Sequence, residues 1–151
     1  MVCLGNICRS PLAQGILEHQ LRNHNVSAEV DSAGTAAYHA GESPDVRSQD
    51  IAAKYGIDIS GQRARKFLPE DFDRFDRIYV MDRENYSNVA ARARNQQDLE
   101  KIALIMNEVH PGKDLEVPDP YYGGNDGFEK VYRMLEQAGE KIIEKLNHSS
   151  K

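Results

Sequence analysis

Val2-Cys3-Leu4-Gly5-Asn6-Ile7-Cys8-Arg9-Ser10-Pro11 decides the reading of this chain, because it sets a cysteine, five intervening residues and an arginine directly before a helix start. Ser10 and Pro11 read as an N-cap and a proline at the first helical position, and apolar Leu12, Ile16, Leu17 and Leu21 give the helix one buried face to about His24. A loop of this length can curl so that successive backbone N–H groups point inward, and the helix N-terminus adds its positive end. Such a loop suits a phosphate dianion. Gly5 allows close approach or a positive φ, and the Arg9 guanidinium can grip two equatorial oxygens through a fork that lysine lacks.

The same field acts on Cys3. Backbone donors, helix dipole and Arg9 all favour thiolate over thiol, with phosphorus directly above the sulfur, so attack would form a phosphocysteine and divide hydrolysis into two easier steps. Read separately, Cys3 would be a small buried hydrophobe and Arg9 a surface charge; their spacing, in register with the Ser-Pro start, speaks for chemistry. Cys8 lies on the loop rather than at its base. It suits packing, or a reversible disulfide with Cys3 that protects the nucleophile from over-oxidation.

Outward from the loop, Ala28 to Ser32 reads as a short strand closed by Gly34, followed by a polar loop through Glu42. Ser43-Pro44 repeats the helix-start signal, and Gly56 is placed to end that helix. Asp76 to Met81 is a further strand, Glu84 to Ala93 a helix, and Ile102 to Ile105 a third apolar run. After Gly123-Gly124, Phe128, Val131, Leu135, Ala138, Ile142 and Leu146 recur at steps of three and four, a core-facing stripe. Strands alternating with helices imply a doubly wound α/β fold with a parallel sheet and ligands at the carboxyl ends of its strands. Only Met1 and Val2 precede Cys3, too few for an ordinary strand to feed the first loop. The chain then either begins inside a strand or lacks the sheet's middle.

At 151 residues, 40% hydrophobic and 28% charged, the chain fits one compact domain, 1–151. No run is long enough to span a membrane and no signal peptide is indicated, so a cytoplasmic protein is expected. A net charge of −5 argues against nonspecific nucleic-acid or anionic-membrane partners. Two cysteines without paired histidines make neither a disulfide scaffold nor a zinc site, and no metal or other cofactor is called for.

Expelling a phenolate from phosphate needs a proton. Pro118-Asp119-Pro120-Tyr121-Tyr122-Gly123-Gly124 offers it: an Asp held between two rigid prolines and beside two aromatics. Alone, Asp-Pro is a turn signal; beside the cysteine loop, Asp119 becomes the candidate general acid. Tyr121 and Tyr122 could flank a substrate's aromatic ring, with Tyr38 as the opposite wall.

Taken together these residues resemble the low-molecular-weight protein tyrosine phosphatases over nearly the whole chain. The resemblance is carried by Val2 through Pro11, Asp31-Ser32-Ala33, Tyr38, Ser43-Pro44-Asp45, Met81-Asp82 and Asp119 to Tyr122. It implies a three-layer fold on a four-stranded parallel sheet, with the phosphate loop after the first strand and metal-free hydrolysis through a cysteinyl phosphate. Leu4, Gly5, Asn6, Ile7, Cys8 and Arg9 would bind phosphate, with Leu4 and Ile7 giving backbone donors while their side chains shape the rim. Asn6 and Ser32 would hold the loop's shape, Ser10 would stabilise the Cys3 thiolate, and Asp119 would turn from acid to base to activate water. Phosphotyrosine-containing proteins are the implied partners, for a monomer or weak homodimer.

Two departures stand out: family members normally carry more residues ahead of the cysteine, and often a histidine near Gln62. An arsenate reductase of the same fold would need further cysteines late in the chain, and none follows Cys8. A phosphoarginine phosphatase is a second alternative within the hydrolases, but family members with that preference look to have threonine where Ile7 stands, and the branched apolar side chain favours an aromatic ester.

Overall fold

The structure is a computed structural model that describes residues 1–121 and 125–149. Its four strands, β1 (Val2–Cys3), β2 (Ala33–Gly34), β3 (Ile78–Val80) and β4 (Ile102–Leu104), form one sheet in the order β2-β1-β3-β4, every pair parallel. Between and after them run α1 (Arg9–Asn23), α2 (Val46–Lys54), α3 (Asp71–Arg74), α4 (Arg83–Ala90), α5 (Gln96–Glu100), a 3₁₀ turn (Ile105–Glu108) and α6 (Asn125–Ser149).

Alternation along the strands sorts the core into two halves. Cys3, Tyr79 and Met81 face Leu12, Ile16 and Leu17 of α1 and Val131, Leu135 and Ala138 of α6. Val2, Ile78 and Val80 face Phe72 of α3 and Val89 of α4. Helices thus cover both faces, which is why the strands are apolar throughout. The α6 stripe is buried at Phe128, Val131, Leu135, Ala138 and Ile142, and each large side chain taken out of water there contributes about 1.5–3 kcal/mol.

Two helix starts fall differently from the expectation. Cys8, not Ser10, is the N-cap residue of α1, and it makes no side-chain cap; Ser10 lies inside the first turn, its hydroxyl turned to the loop. In α2 the cap is Asp45, whose side chain accepts from Arg47 N, while Gly56 follows the helix at φ 77° as expected.

The segment Ala28–Ser32, expected as a strand, is not one; the ladder occupies Ala33–Gly34 instead. β1 explains this. A parallel strand needs a neighbour at its own height, and Val2–Cys3 reaches only Ala33 and Gly34 on one side and Val80 on the other. Two residues therefore hold the sheet's middle, with the Met1 amine donating to the Asp31 carbonyl at 3.1 Å. Beside Met1 a cavity of about 830 Å³ opens among Val30, Phe67, Phe75, Ile142 and Leu146. It lies at the amino ends of the strands, opposite the edge that carries the phosphate loop.

Candidate active site

The loop between β1 and α1 is held from outside by its carbonyls. Cys3 O accepts from Thr35 N at 2.9 Å, Leu4 O from Ala36 N at 3.0 Å and Ile7 O from Asp45 N at 2.8 Å, and Cys8 O accepts from the Ser48 hydroxyl at 3.1 Å. Among the described residues, the N–H groups of Gly5 to Cys8 donate to no protein acceptor. Carbonyls out and N–H groups free is the polarity of an anion receptor, and the uncapped start of α1 adds its own end charge. β2 closes the back: a Cβ on Gly34 would stand 2.8 Å from Leu4 O and 3.1 Å from Asn6 N, so only glycine lets the loop lie this close.

Within the loop the left-handed residue is Asn6, at φ 57°, rather than Gly5. Its side chain is saturated: Nδ2 donates to Ser10 Oγ at 2.7 Å and Ser32 Oγ at 3.0 Å, and Oδ1 accepts from Arg65 N at 3.0 Å. Ser10 Oγ in turn sits 3.0 Å from Cys3 Sγ. Since Asn6 fills the hydroxyl's acceptor side, the single Ser10 proton has two acceptors in reach, Cys3 Sγ at 3.0 Å and Ala33 O at a longer 3.4 Å, and the shorter contact is to sulfur.

Both cysteines are free and buried, yet their surroundings differ. Burial, reinforced by Asp45, pushes the Cys8 thiol up to about 12, so Cys8 stays a neutral thiol. Cys3 instead faces Ser10 Oγ and contributes to holding the Arg9 charge.

Arg9 is 3% exposed, and protein acceptors hold one end of its guanidinium. One terminal nitrogen donates to Asp82 Oδ2 at 2.7 Å and to Val117 O at 2.9 Å; the other lies 3.7 Å from Asp119 Oδ2. Burial alone would lower its pKa, but Cys3 and Asp82 outweigh that and raise it. Asp82 escaped the sequence reading as a site residue. It caps α4 in a reciprocal box with Asn85, and the readable signal was a capping Asp at the carboxyl end of a parallel strand, three residues before an Asn.

Asp119 lies at the mouth with its side chain 37% exposed, and its Oδ1 accepts from Tyr121 N at 3.0 Å. Tyr121 is exposed beside it, and Tyr38 stands 80% exposed on the loop after β2, which packs against the phosphate loop through Ala36 N and the His39 ring near Gly5. Tyr122 lies outside the described residues. Gln62, where a histidine was the family's habit, donates to Pro11 O at 3.0 Å in the first turn of α1. Among the described residues no group of His, Cys, Asp and Glu is set to hold a metal ion.

A thiol at the base of an anion nest, an arginine closing it and a carboxyl at its mouth, all at the carboxyl edge of a parallel α/β sheet, define the phosphate-loop cysteine class of fold. Comparison with known proteins narrows the class. The family model for low molecular weight phosphotyrosine protein phosphatase matches residues 1–151, and the chain belongs to that family. A Synechocystis chain whose name assigns it to the same family is 46% identical over 96% of this chain and 93% of its own length. The crystal structure of an Entamoeba histolytica protein tyrosine phosphatase with Hepes in its active site superposes at a TM-score of 0.91, with 38% identity, over 99% of this chain and 96% of that one. A Drosophila arginine phosphatase superposes at 0.88, with 30% identity, over 95% and 94%.

Proposed function

We propose that this chain hydrolyses phosphotyrosine in proteins, and small aryl phosphates, through a cysteinyl phosphate. The observation that carries the reading is Arg9, whose guanidinium joins the thiol loop to Asp119 across 3.7 Å. The phosphate sits among the backbone N–H groups of Leu4 to Arg9. Cys3 sulfur attacks phosphorus; the bond to the phenolic oxygen breaks as Asp119 gives that oxygen its proton. Asp119, now a carboxylate, takes a proton from water as its oxygen attacks phosphorus, and Cys3 leaves as thiolate with inorganic phosphate. Ser10 steadies the thiolate, Ser32 and Asn6 keep the loop's shape, and Tyr38, Tyr121 and Tyr122 flank the substrate ring.

Residues 1–151 act as one domain on this reading, as a monomer or weak homodimer in the cytoplasm, with neither nucleic acid nor membrane as partner. No described helix is long and apolar enough to cross a membrane.

Hydrolysis of phosphotyrosine, phosphoserine and phosphoarginine peptides, compared side by side with arsenate as a control, tests the substrate class; phosphotyrosine should be cleaved fastest. The likeness to the Drosophila arginine phosphatase favours a second reading, and faster release from phosphoarginine would establish it. Cys3→Ser should abolish turnover, and Asp119→Ala should lower kcat/KM for aryl phosphates by about 10²- to 10⁴-fold. Full activity in Cys3→Ser would sink the mechanism.

A further inference from the structure

Arg47, in the first turn of α2, is bound in a way unusual for a half-exposed arginine. Its guanidinium lies over the Tyr121 ring, 5.3 Å from the centroid, and over the Phe128 ring at 4.8 Å. Its edge meets Asp45 twice, Nε to Oδ1 at 3.1 Å and a terminal nitrogen to Oδ2 at 3.2 Å, while Arg47 N donates to the same Oδ1 at 2.8 Å. Burial pushes the Asp45 carboxyl up, but the Arg47 hydrogen bonds outweigh it and leave Asp45 below the usual range. Asp45 N donates to Ile7 O of the phosphate loop.

A continuous set of contacts therefore runs from Ile7 through Asp45 and Arg47 to Tyr121, two residues past Asp119, and to Phe128 near the head of α6. Tyr121 N closes it by donating to Asp119 Oδ1. Pro118, Asp119 and Tyr121 are exposed on either side of buried Pro120, with Arg9 3.7 Å from the acid on the pocket side. A planar fork that pairs with a carboxylate and stacks on aromatic faces is a property of arginine that lysine does not reproduce.

We propose that Arg47 is a positioning residue for the general acid: it ties the Asp119–Tyr121 turn to the phosphate loop, so that the Asp119 carboxyl meets the leaving oxygen rather than solvent. The inference rests on the reading of Asp119 given above and adds a residue that acts through it.

The test compares kcat/KM, which reports the steps through phosphocysteine formation, for phenyl phosphate, whose leaving group needs the acid's proton, and 4-nitrophenyl phosphate, whose leaving group needs it less. Wild type, Arg47→Ala, Arg47→Lys, Asp119→Ala and the Arg47→Ala/Asp119→Ala double variant are measured, with thermal melts for each. Arg47→Ala should lose about tenfold on phenyl phosphate and under about threefold on the nitro ester, and the double variant should be no slower than Asp119→Ala alone. Arg47→Lys should behave like Arg47→Ala, and carries the test if the alanine variant melts too low to assay. Equal losses on both esters, or losses that multiply in the double variant, would overturn the role of Arg47 while leaving Asp119 in place. If Asp119→Ala itself spares phenyl phosphate, the acid assignment falls and the role of Arg47 with it.

Discussion

Asn6 is the residue on which the phosphate loop turns. A non-glycine φ of 57° costs roughly 1–2 kcal/mol, and the hydrogen bonds to Ser10, Ser32 and Arg65 offset it. Asn6→Ala keeps the strain and strands three partners, so unfolding free energy should fall by about 1–3 kcal/mol. Activity on aryl phosphates should drop at least about tenfold, because the bond that orients the Ser10 hydroxyl towards Cys3 goes with it. Asn6→Gly relieves the strain and should recover part of the stability but not the activity. Denaturant titration alongside kinetics separates these, and an Asn6→Gly enzyme with full activity would show that backbone shape alone suffices.

At the scale of elements, β1 carries the largest structural consequence for its length. In a chain that starts at Met1 the terminal amine is buried beside it, and burial lowers that amine to about 6 from an ordinary 8.0. A base whose folded pKa is depressed binds fewer protons folded than unfolded between those values, so stability should rise as pH climbs from about 6 to 8. Below about 6 the full penalty is present, on the order of 2–3 kcal/mol. Acetylating the amine, or fusing a few residues ahead of Met1, converts it to a neutral amide and should remove that slope. Melts of both forms at pH 6 and pH 8 read this out, and identical slopes would mean the amine reaches water.

Across the whole molecule, a set of depressed carboxyls sets the acid limit. Arg94 hydrogen bonds hold Asp73 and Asp98 below the usual range, with Arg94 bridging α3 to α5 at 2.6 and 2.9 Å, and Asp45 is held down by Arg47 as described. For depressed acids the stabilisation is present above the unfolded value near 3.9 and is lost as pH falls through the folded one. The melting temperature should therefore be steady from about pH 5 to 6 and fall below about pH 4. A melt at pH 3 matching that at pH 5 would mean these pairs contribute nothing.

Local pattern determined much of this protein by itself. The Cys3-to-Arg9 spacing, the helix that follows it and the α6 stripe were legible because helix periodicity and loop length act within a few residues of one another, although the cap of α1 proved to be Cys8 and not Ser10. Asp119 was legible only beside the family resemblance, since nothing in its own neighbourhood distinguishes it from other acidic turn residues. Tertiary structure alone decided the rest. Asp82, Asp45 and Arg47 gain their meaning from partners across the sheet or on another loop; Gly34 matters because the phosphate loop lies against it. The strand at Ala33–Gly34 replaced the one read at Ala28–Ser32 because a parallel ladder needs a neighbour of matching length, and β1 supplies two residues. Propensity is a property of a segment, whereas pairing and pre-organised charge belong to what the fold brings beside it.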